Sequence, residues 1–248
     1  MPTLNKAMFL VIDIGNTTHK VSIFNSDGDL EILFRYDELE ISRLQNLFEQ
    51  YDIEAAILSS VGSVREDIIF WLENHTALVR LTPGLKLPVC LDYETPETLG
   101  TDRIAAASGA QMLYPAQNVL VIQAGTCLVF DFVDNQGVYQ GGSIAPGMRM
   151  RFQSLHDHTA RLPLVEPHEV ISITGKNTGE SISSGVIRGM ACEIDGFIDH
   201  YRSHYSDLKV LLTGGDAELL QSFIKNRIFA APYLVLQGLY KILKLNVE

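Results

Sequence analysis

An internal repeat constrains this chain more than any other feature of its sequence. Residues 10–17 form an apolar run followed by a polar side chain, a small residue, a glycine and a hydroxyl, and residues 120–126 repeat this pattern. Each copy predicts a buried strand ending in a turn whose backbone can approach a ligand closely, because glycine lacks Cβ. One copy alone is typical of an ordinary hairpin, whereas two copies predict two similar halves whose turns grip one polyphosphate.

The order of predicted elements also recurs. A chain of 248 residues accommodates two domains of common size, and the repeat predicts them at 1–118 and 119–248. Each half opens with a three-stranded meander and continues with helices and strands. The predicted strands are 9–14, 19–24, 30–35, 55–60, 120–122, 127–133, 138–140 and 209–212, and the predicted helices are 38–51, 65–74, 104–113, 148–156, 178–204 and one starting at 217. This organisation predicts an α/β fold of two ribonuclease-H-like domains.

Two details of the second half follow from the same comparison. Residues 141–147, rich in glycine and ending near a proline, are predicted to form a loop. The repeats align at a constant offset of 110, which matches Asp13 with Gln123 and Val21 with Asp131.

The composition limits the classes of partner that the protein is expected to bind. A formal net charge of −11 disfavours nucleic acid and anionic membranes, because both would be repelled by the average surface. No apolar run approaches the roughly 18 residues that span a bilayer, and the first residues lack the pattern of a signal peptide, so a cytoplasmic location is expected. Cys90, Cys127 and Cys192 lie far apart, which argues against a disulfide framework and a structural zinc site.

The first repeat carries the residues of a phosphate site. Asp13, Gly15, Asn16, Thr17 and Lys20 form a D-x-G-N-T-x-x-K pattern at a turn between strands. A carboxylate suits hydrated Mg²⁺, glycine admits the phosphates, a hydroxyl donates to them, and lysine supplies a positive charge. The pattern therefore predicts that this turn binds a nucleotide triphosphate.

The second half supplies two further glycine turns. Gly125 and Thr126 form the matching phosphate turn, and residues 213–215, T-G-G, follow the final predicted core strand. We expect Gly214 and Gly215 to lie under the adenosine, although such turns also end strands for purely structural reasons.

Asp102 and Arg103 stand at the start of a predicted alanine-rich helix. An aspartate there is typical of a helix cap, and the helix N-terminus also keeps a carboxylate ionised. The functional interpretation makes Asp102 the general base for a substrate hydroxyl and Arg103 the ligand of a substrate carboxylate.

Seven motifs in this order resemble those of type III pantothenate kinases, within the acetate kinase, sugar kinase, Hsp70 and actin superfamily, whose members bind ATP between their domains. They are D-x-G-N-T-x-x-K at 13–20, G-T-D-R at 100–103, A-G-T at 124–126, G-G-S-I-A-P-G at 141–147, T-A-R-L-P at 159–163, N-T-x-x-S-I-x-S-G at 177–185 and T-G-G at 213–215. They extend over about 200 residues, and several in order are far more specific than any one.

The resemblance implies transfer of phosphate from ATP to pantothenate, giving 4′-phosphopantothenate in the first step of coenzyme A synthesis, with Asp102 as proton acceptor. It implies pantothenate contacts at Tyr93, Gly100, Thr101, Asp102, Arg103 and Thr178, and ATP contacts at Asp13, Ile14, Gly15, Asn16, Thr17, Thr18, His19, Lys20, Gly125, Thr126, Gly214 and Gly215. It also implies magnesium near Asp13, a monovalent cation such as potassium or ammonium, and a homodimer whose subunit interface completes the pantothenate pocket.

Gln123 departs from the family pattern, which usually has aspartate before A-G-T, associated with the monovalent cation. Glutamine keeps a carbonyl oxygen that can ligate potassium but brings no negative charge. Three outcomes stay open: weaker cation binding, independence of the cation, or loss of turnover. Asp131 is a candidate to compensate if its side chain faces the same site.

Two other functions are compatible with parts of this pattern. One is a non-catalytic nucleotide-binding regulator, which the glutamine favours and the intact Asp102, Arg103 and Lys20 disfavour. The other is a sugar or acetate kinase, which residues 100–103 and 141–163 disfavour. His156, His158 and His168 have no matched carboxylate spacing and are predicted to be surface histidines rather than metal ligands.

Overall fold

The computed structural model describes residues 7–62, 64–167 and 172–247. The chain forms two compact units, one of Met1–Leu113 with Tyr233–Glu248 and one of Tyr114–Pro232. The predicted boundaries differ from this division chiefly at the end of the chain, since they assign the last sixteen residues to the C-terminal half. In the structure the contacts of this segment join it to the first unit.

The first unit is an α/β layer built on a five-stranded sheet. Its strands follow the order β3-β2-β1-β4-β5, in which β1 pairs antiparallel with β2 and parallel with β4. Its elements are β1 (Met8–Ile14), β2 (His19–Asn25), β3 (Leu30–Tyr36), α1 (Ile41–Gln50), β4 (Ile53–Ser60), α2 (Glu66–His75), β5 (Ala77–Arg80), β6 (Cys90–Leu91), α3 (Thr101–Leu113) and, from the chain end, α7 (Leu234–Val247).

The side chains of β1 point alternately to the two faces of this sheet. Leu10, Ile12 and Ile14 join the core formed with α1 and α2. The opposite face packs against α7, where Tyr240 stacks on Phe24 with ring centroids 4.9 Å apart. Because side chains alternate along a strand, Asp13 lies on this second face.

Two glycines allow α3 and α7 to pack closely. A Cβ built on Gly238 would lie 1.8 Å from the carbonyl oxygen of Ala105, and one on Gly109 would lie 2.5 Å from that of Leu234. The helix backbones therefore touch, which no larger residue permits. This contact fixes α3 within the first unit.

The second unit repeats the same topology. Its strands follow the order β11-β10-β7-β8-β9. The meander β7-β8-β9 corresponds to β1-β2-β3 of the first unit, and the parallel strands β10 and β11 correspond to β4 and β5. Its elements are β7 (Val119–Ala124), β8 (Cys127–Val133), β9 (Val138–Pro146), α4 (Met148–Asp157), α5 (Thr178–His204), β10 (Lys209–Thr213), α6 (Ala217–Gln221) and β11 (Phe229–Ala230). Both units thus have the ribonuclease-H-like order, and the predicted fold class is confirmed.

The prediction of a loop at 141–147 is wrong for most of that segment. Strand β9 continues through Pro146 and pairs with β8 as far as Cys127. Gly142 belongs inside the strand because a Cβ there would lie 1.8 Å from the carbonyl oxygen of Phe130. Glycine marks close backbone approach here rather than a turn.

The constant offset between the repeats is also wrong. Four residues separate the paired Ile14 and His19, whereas three separate the paired Ala124 and Leu128. After the turn the offset therefore falls by one. Asp131, paired with Val121, corresponds to Ser22, paired with Val11, and not to Val21.

Candidate active site

The first phosphate turn brings a carboxylate and an ammonium group together. Asp13 and Lys20 are paired across β1 and β2, and Lys20 Nζ lies 3.6 Å from Asp13 Oδ2. The turn closes with a hydrogen bond from the Gly15 N–H to the Thr18 carbonyl oxygen, 3.3 Å long. Asn16 and Thr17 are exposed at its tip, where a ligand can reach them.

Burial dominates the electrostatics of Asp13, which is 5% exposed. Desolvation raises the pKa of its carboxyl group, Lys20 lowers it, and the negative charge of Asp102 raises it further. A divalent cation would offset both effects that disfavour the ionised carboxylate, its burial and the negative charge of Asp102. The donor chemistry therefore fits Mg²⁺, which typically takes one or two protein carboxylates and completes its shell with water and phosphate.

Asp102 lies in the first turn of α3 and is partly exposed. Its Oδ1 accepts a hydrogen bond from the Arg103 N–H at 2.9 Å, and the N–H groups of Arg103 and Ile104 donate to the Gly100 carbonyl oxygen. A Cβ on Gly100 would lie 2.6 Å from Asp102 Oδ1, so the glycine leaves room for the carboxylate. The cap and the base interpretations are thus compatible: the carboxylate helps to cap the helix and stays open to solvent.

Arg103 and Tyr93 also meet in the first unit. The guanidinium carbon lies 5.8 Å from the centre of the Tyr93 ring, and Arg103 is only 6% exposed. A desolvated guanidinium binds a carboxylate more strongly than an exposed one. The pair therefore suits recognition of an anionic substrate group next to Asp102.

Two residues predicted to contact ATP have partners within the first unit. Ile14 is 6% exposed and belongs to the core of the first unit. His19 Nδ1 accepts a hydrogen bond from the Leu39 N–H at 3.0 Å, which leaves Nε2 as the protonated nitrogen of the neutral ring. Any contact of these two residues with ATP is restricted to backbone groups or to Nε2.

In the second unit, Gly125, Gly147 and Gly214 all lie next to the end of β7. Gly125 leaves open space where its Cβ would be, and Thr126 is exposed. Gly147 packs on this turn, with its Cβ position 2.2 Å from the Gly125 carbonyl oxygen. Gly214 has a φ of +103°, and its Cβ position lies 2.1 Å from the Ala124 carbonyl oxygen, so both its conformation and its packing require glycine.

Gln123 takes part in a polar network on the sheet of the second unit. Its Nε2 donates to Asp131 Oδ2 at 3.3 Å, and the Tyr139 hydroxyl donates to Asp131 Oδ1 at 2.7 Å. Asp131 is fully buried, so the network places a carboxyl group close to the amide of Gln123. The two side chains therefore lie on the same face of the sheet, which the sequence left open.

The other candidate residues of the sequence are Thr178 and three histidines. Thr178 is exposed in the first turn of α5, behind an Asn177 cap that accepts from the Glu180 N–H. His156 and His158 are exposed, and His168 falls outside the described residues. Over the described ranges, no group of three or more histidine, cysteine or acidic side chains is arranged to hold a metal ion.

A cavity of about 670 Å³ lies beside the ends of β4 and β5 in the first unit. Ser60, Ile69, Phe70 and Arg80 are among its lining residues, and none of the predicted site residues lines it. We therefore assign neither substrate to it.

Sequence reasoning missed Ser59. This residue is fully buried, is paired with Asp13 across β1 and β4, and lies 3.0 Å from the Thr101 hydroxyl. The available signal is a serine pair, Ser59 and Ser60, that ends an otherwise apolar strand. Hydroxyls at the carboxyl end of a parallel strand are well placed to serve a site.

Two ribonuclease-H-like units, each presenting a glycine turn to solvent, give the chain the fold of the acetate kinase, sugar kinase, Hsp70 and actin superfamily. A solved structure from Campylobacter jejuni, described as a Baf family transcriptional activator, has the same fold, with a TM-score of 0.62 and 21% identity over 95% of this chain and 97% of that one.

Sequence comparison defines the family. The type III pantothenate kinase family model matches residues 9–200. A type III pantothenate kinase from Flavobacterium johnsoniae is 40% identical, covering 97% of this chain and 99% of that protein, and one from Cytophaga hutchinsonii is 43% identical, covering 97% and 100%. The chain belongs to the type III pantothenate kinase family.

No helix within the described parts of the chain is both long and apolar enough to span a bilayer.

Proposed function

We propose that this chain transfers the γ-phosphoryl group of ATP to the primary hydroxyl of pantothenate, with Asp102 as the general base. The observation that carries this proposal is the link between the Asp13 turn and the start of α3: Ser59 is paired with Asp13, and its hydroxyl bonds to Thr101, the residue next to Asp102. One carboxylate thus serves the phosphate and metal side of the reaction, and the other serves the acceptor.

Asp102 orients the acceptor hydroxyl and takes its proton as the oxygen attacks phosphorus. The Arg103 N–H that donates to Oδ1 leaves Oδ2 to accept the hydroxyl. This bond holds the carboxylate in place in the first turn of α3. In-line phosphoryl transfer depends mostly on such positioning and on charge stabilisation.

The phosphates are bound by both glycine turns in this proposal. The Lys20 ammonium and the backbone donors around Gly15 and Gly125 stabilise the charge that spreads over the transferred oxygens. Mg²⁺ held by Asp13 supplies further charge neutralisation when bound. The open Cβ position of Gly125 and the exposed Thr126 support their role in this contact.

Pantothenate is held through its carboxylate and its hydroxyls. Arg103, covered by the ring of Tyr93, pairs with the carboxylate. Gly100 and Thr101 contact the substrate through their backbone at the start of α3, since the Thr101 hydroxyl is bonded to Ser59 and Ser60, and Thr178 contributes from the start of α5. A homodimer, in which the subunit interface completes this pocket, is part of the proposal.

A monovalent cation, potassium or ammonium, binds beside Gln123. The Asp131 carboxylate lies within hydrogen-bond distance of the Gln123 side chain and supplies the negative charge that glutamine lacks. The amide oxygen of Gln123 serves as the direct ligand. Of the three outcomes that the sequence left open, this arrangement favours retained but weakened binding.

The regulator and the sugar or acetate kinase are both disfavoured. Relatives that share nearly the whole chain at about 40% identity are named as pantothenate kinases. The likeness to the activator from Campylobacter jejuni, at 21% identity, concerns the fold alone.

The direct test incubates purified protein with ATP, MgCl₂ and pantothenate, and identifies the product by mass spectrometry and phosphorus NMR. We expect a phosphate ester at the 4′ position, formed faster in potassium or ammonium chloride than in sodium chloride. Glucose and acetate serve as control acceptors. Nucleotide binding without product would favour the regulator, and faster phosphorylation of a control acceptor would favour another kinase.

A further inference from the structure

Ser59 lies where the two proposed catalytic carboxylates of the first unit are linked. It is the residue of β4 that faces Asp13 of β1, and its side chain is fully buried. Its hydroxyl donates to the Thr101 hydroxyl at 3.0 Å, and the Asp13 carboxylate is its other polar neighbour. Thr101 is the first residue of α3 and immediately precedes Asp102.

The end of β4 holds the start of α3 at two points. Thr101 Oγ1 donates to the Ser60 carbonyl oxygen at 3.0 Å and accepts from the Ser59 hydroxyl. Both contacts lie before the first complete turn of α3, where the helix does not yet restrain its own backbone through i→i−4 bonds. The position of Asp102 therefore depends on this anchor as well as on packing of the helix body.

The Ser59 hydroxyl has one proton and two acceptors within reach, the Asp13 carboxylate and Thr101 Oγ1. The Thr101 proton is already donated to the Ser60 carbonyl oxygen, so the bond between the two hydroxyls is the one in which Ser59 donates. A buried hydroxyl with alternative acceptors is well suited to hold two groups at a fixed separation.

We propose that Ser59 is a positioning residue, whose contact with Thr101 sets the distance between the Asp102 carboxylate and the Asp13 turn. The proposal rests on the assignment of Asp102 as the base. Ser59 does not touch the substrate. It acts through Thr101, and removal of its hydroxyl lets the first turn of α3 shift relative to β1.

Ser59→Ala should lower kcat about tenfold while changing KM for pantothenate less than about twofold, because displacement of a base by a fraction of an ångström mainly affects the transition state. Thr101→Val should lower kcat at least as much, because it also removes the bond to the Ser60 carbonyl oxygen, and Thr101→Ser, which keeps the hydroxyl, should retain most of the activity. The double variant Ser59→Ala/Thr101→Val should lose no more activity than Thr101→Val alone, since that change already removes the contact with Ser59.

Ser22→Ala is the matched control. Ser22 is another fully buried serine of the same sheet, and its hydroxyl donates to the Val11 carbonyl oxygen at 3.4 Å. The variant removes a similar volume and a similar bond without touching α3. It should keep wild-type kcat and KM.

Hydrogen–deuterium exchange supplies a readout that does not depend on turnover. The N–H groups of Arg103 and Ile104 donate to the Gly100 carbonyl oxygen in the first turn of α3. Peptides covering 100–106 should exchange about threefold faster or more in Ser59→Ala than in Ser22→Ala, with no change in the rest of α3.

The proposal is overturned if exchange at 100–106 is equal in the two serine variants, if kcat of Ser59→Ala stays within twofold of the control, or if Thr101→Ser is no better than Thr101→Val. Failure of the wild-type protein to phosphorylate pantothenate would instead refute the proposed function. The exchange comparison separates the two cases, because it tests the anchor without substrate.

Discussion

Gly100→Ala tests whether the position of the Asp102 carboxylate sets the rate. The added Cβ would lie 2.6 Å from Asp102 Oδ1, and ordinary van der Waals contact starts at 3.4 Å, so the carboxylate must move by about 0.8 Å. The atom displaced is the end of a side chain rather than backbone. The substitution therefore moves the proposed base while leaving the fold largely intact.

The expected loss follows from that displacement. Misplacement of a catalytic group by about 1 Å costs on the order of a hundredfold in rate, so kcat should fall roughly 30-fold. Stability should change little: loss of the bond from the Arg103 N–H costs about 1 kcal/mol, and replacing glycine by alanine recovers up to about 1 kcal/mol through the unfolded chain.

The assay is steady-state ADP release coupled to a reporter reaction, with thermal unfolding measured on the same samples. Gly84→Ala is the control, because no described atom lies within 4 Å of its Cβ position. A Gly100→Ala variant with wild-type kcat and KM would refute the assignment of a precisely held base at Asp102. A variant that loses activity only because it unfolds would also be seen, as a lowered melting temperature.

Three further perturbations test packing and charge. Gly238→Ala should separate α3 from α7 and lower stability by about 1–3 kcal/mol in urea unfolding, whereas Gly189→Ala, with open space, should not. Asp13→Asn removes a carboxyl group whose pKa is raised by burial in the folded protein. Because the wild type loses stability as the pH rises through that pKa, the free energy of unfolding of the variant should increase relative to that of the wild type from pH 4 to pH 7. A stability difference that does not change with pH would contradict the burial argument. Gln123→Asp adds a second carboxylate near Asp131 and should steepen the activation by potassium, which an unchanged potassium titration would disprove.

Local patterns were enough to predict the meanders, except for the second part of β9. The strands that begin each half carry β-branched residues and alternate or run apolar, and their predicted limits lie within a few residues of those observed. Asp102 at the start of a helix and Asp13 at the end of a strand were predictable for the same reason. Each position is set by its immediate neighbours in the sequence.

Long-range contacts were not predictable from such patterns. The short strand β5 and the helix α7 were not predicted, and nothing local to Gly238 indicates that it packs against Ala105. The same glycine pattern that marks a turn at Gly125 marks a strand interior at Gly142, because the difference lies in the neighbouring strand β8. A one-residue difference in turn length was enough to misalign Asp131.

The most direct test of the central claim is turnover by Asp102→Asn, compared with Asp92→Asn, an exposed aspartate ten residues earlier. Formation of 4′-phosphopantothenate from ATP should fall at least about a hundredfold in Asp102→Asn, which keeps the shape of the side chain but cannot accept the proton. Its melting temperature should stay close to that of the wild type, and Asp92→Asn should be fully active. A folded Asp102→Asn protein with wild-type turnover would contradict the account.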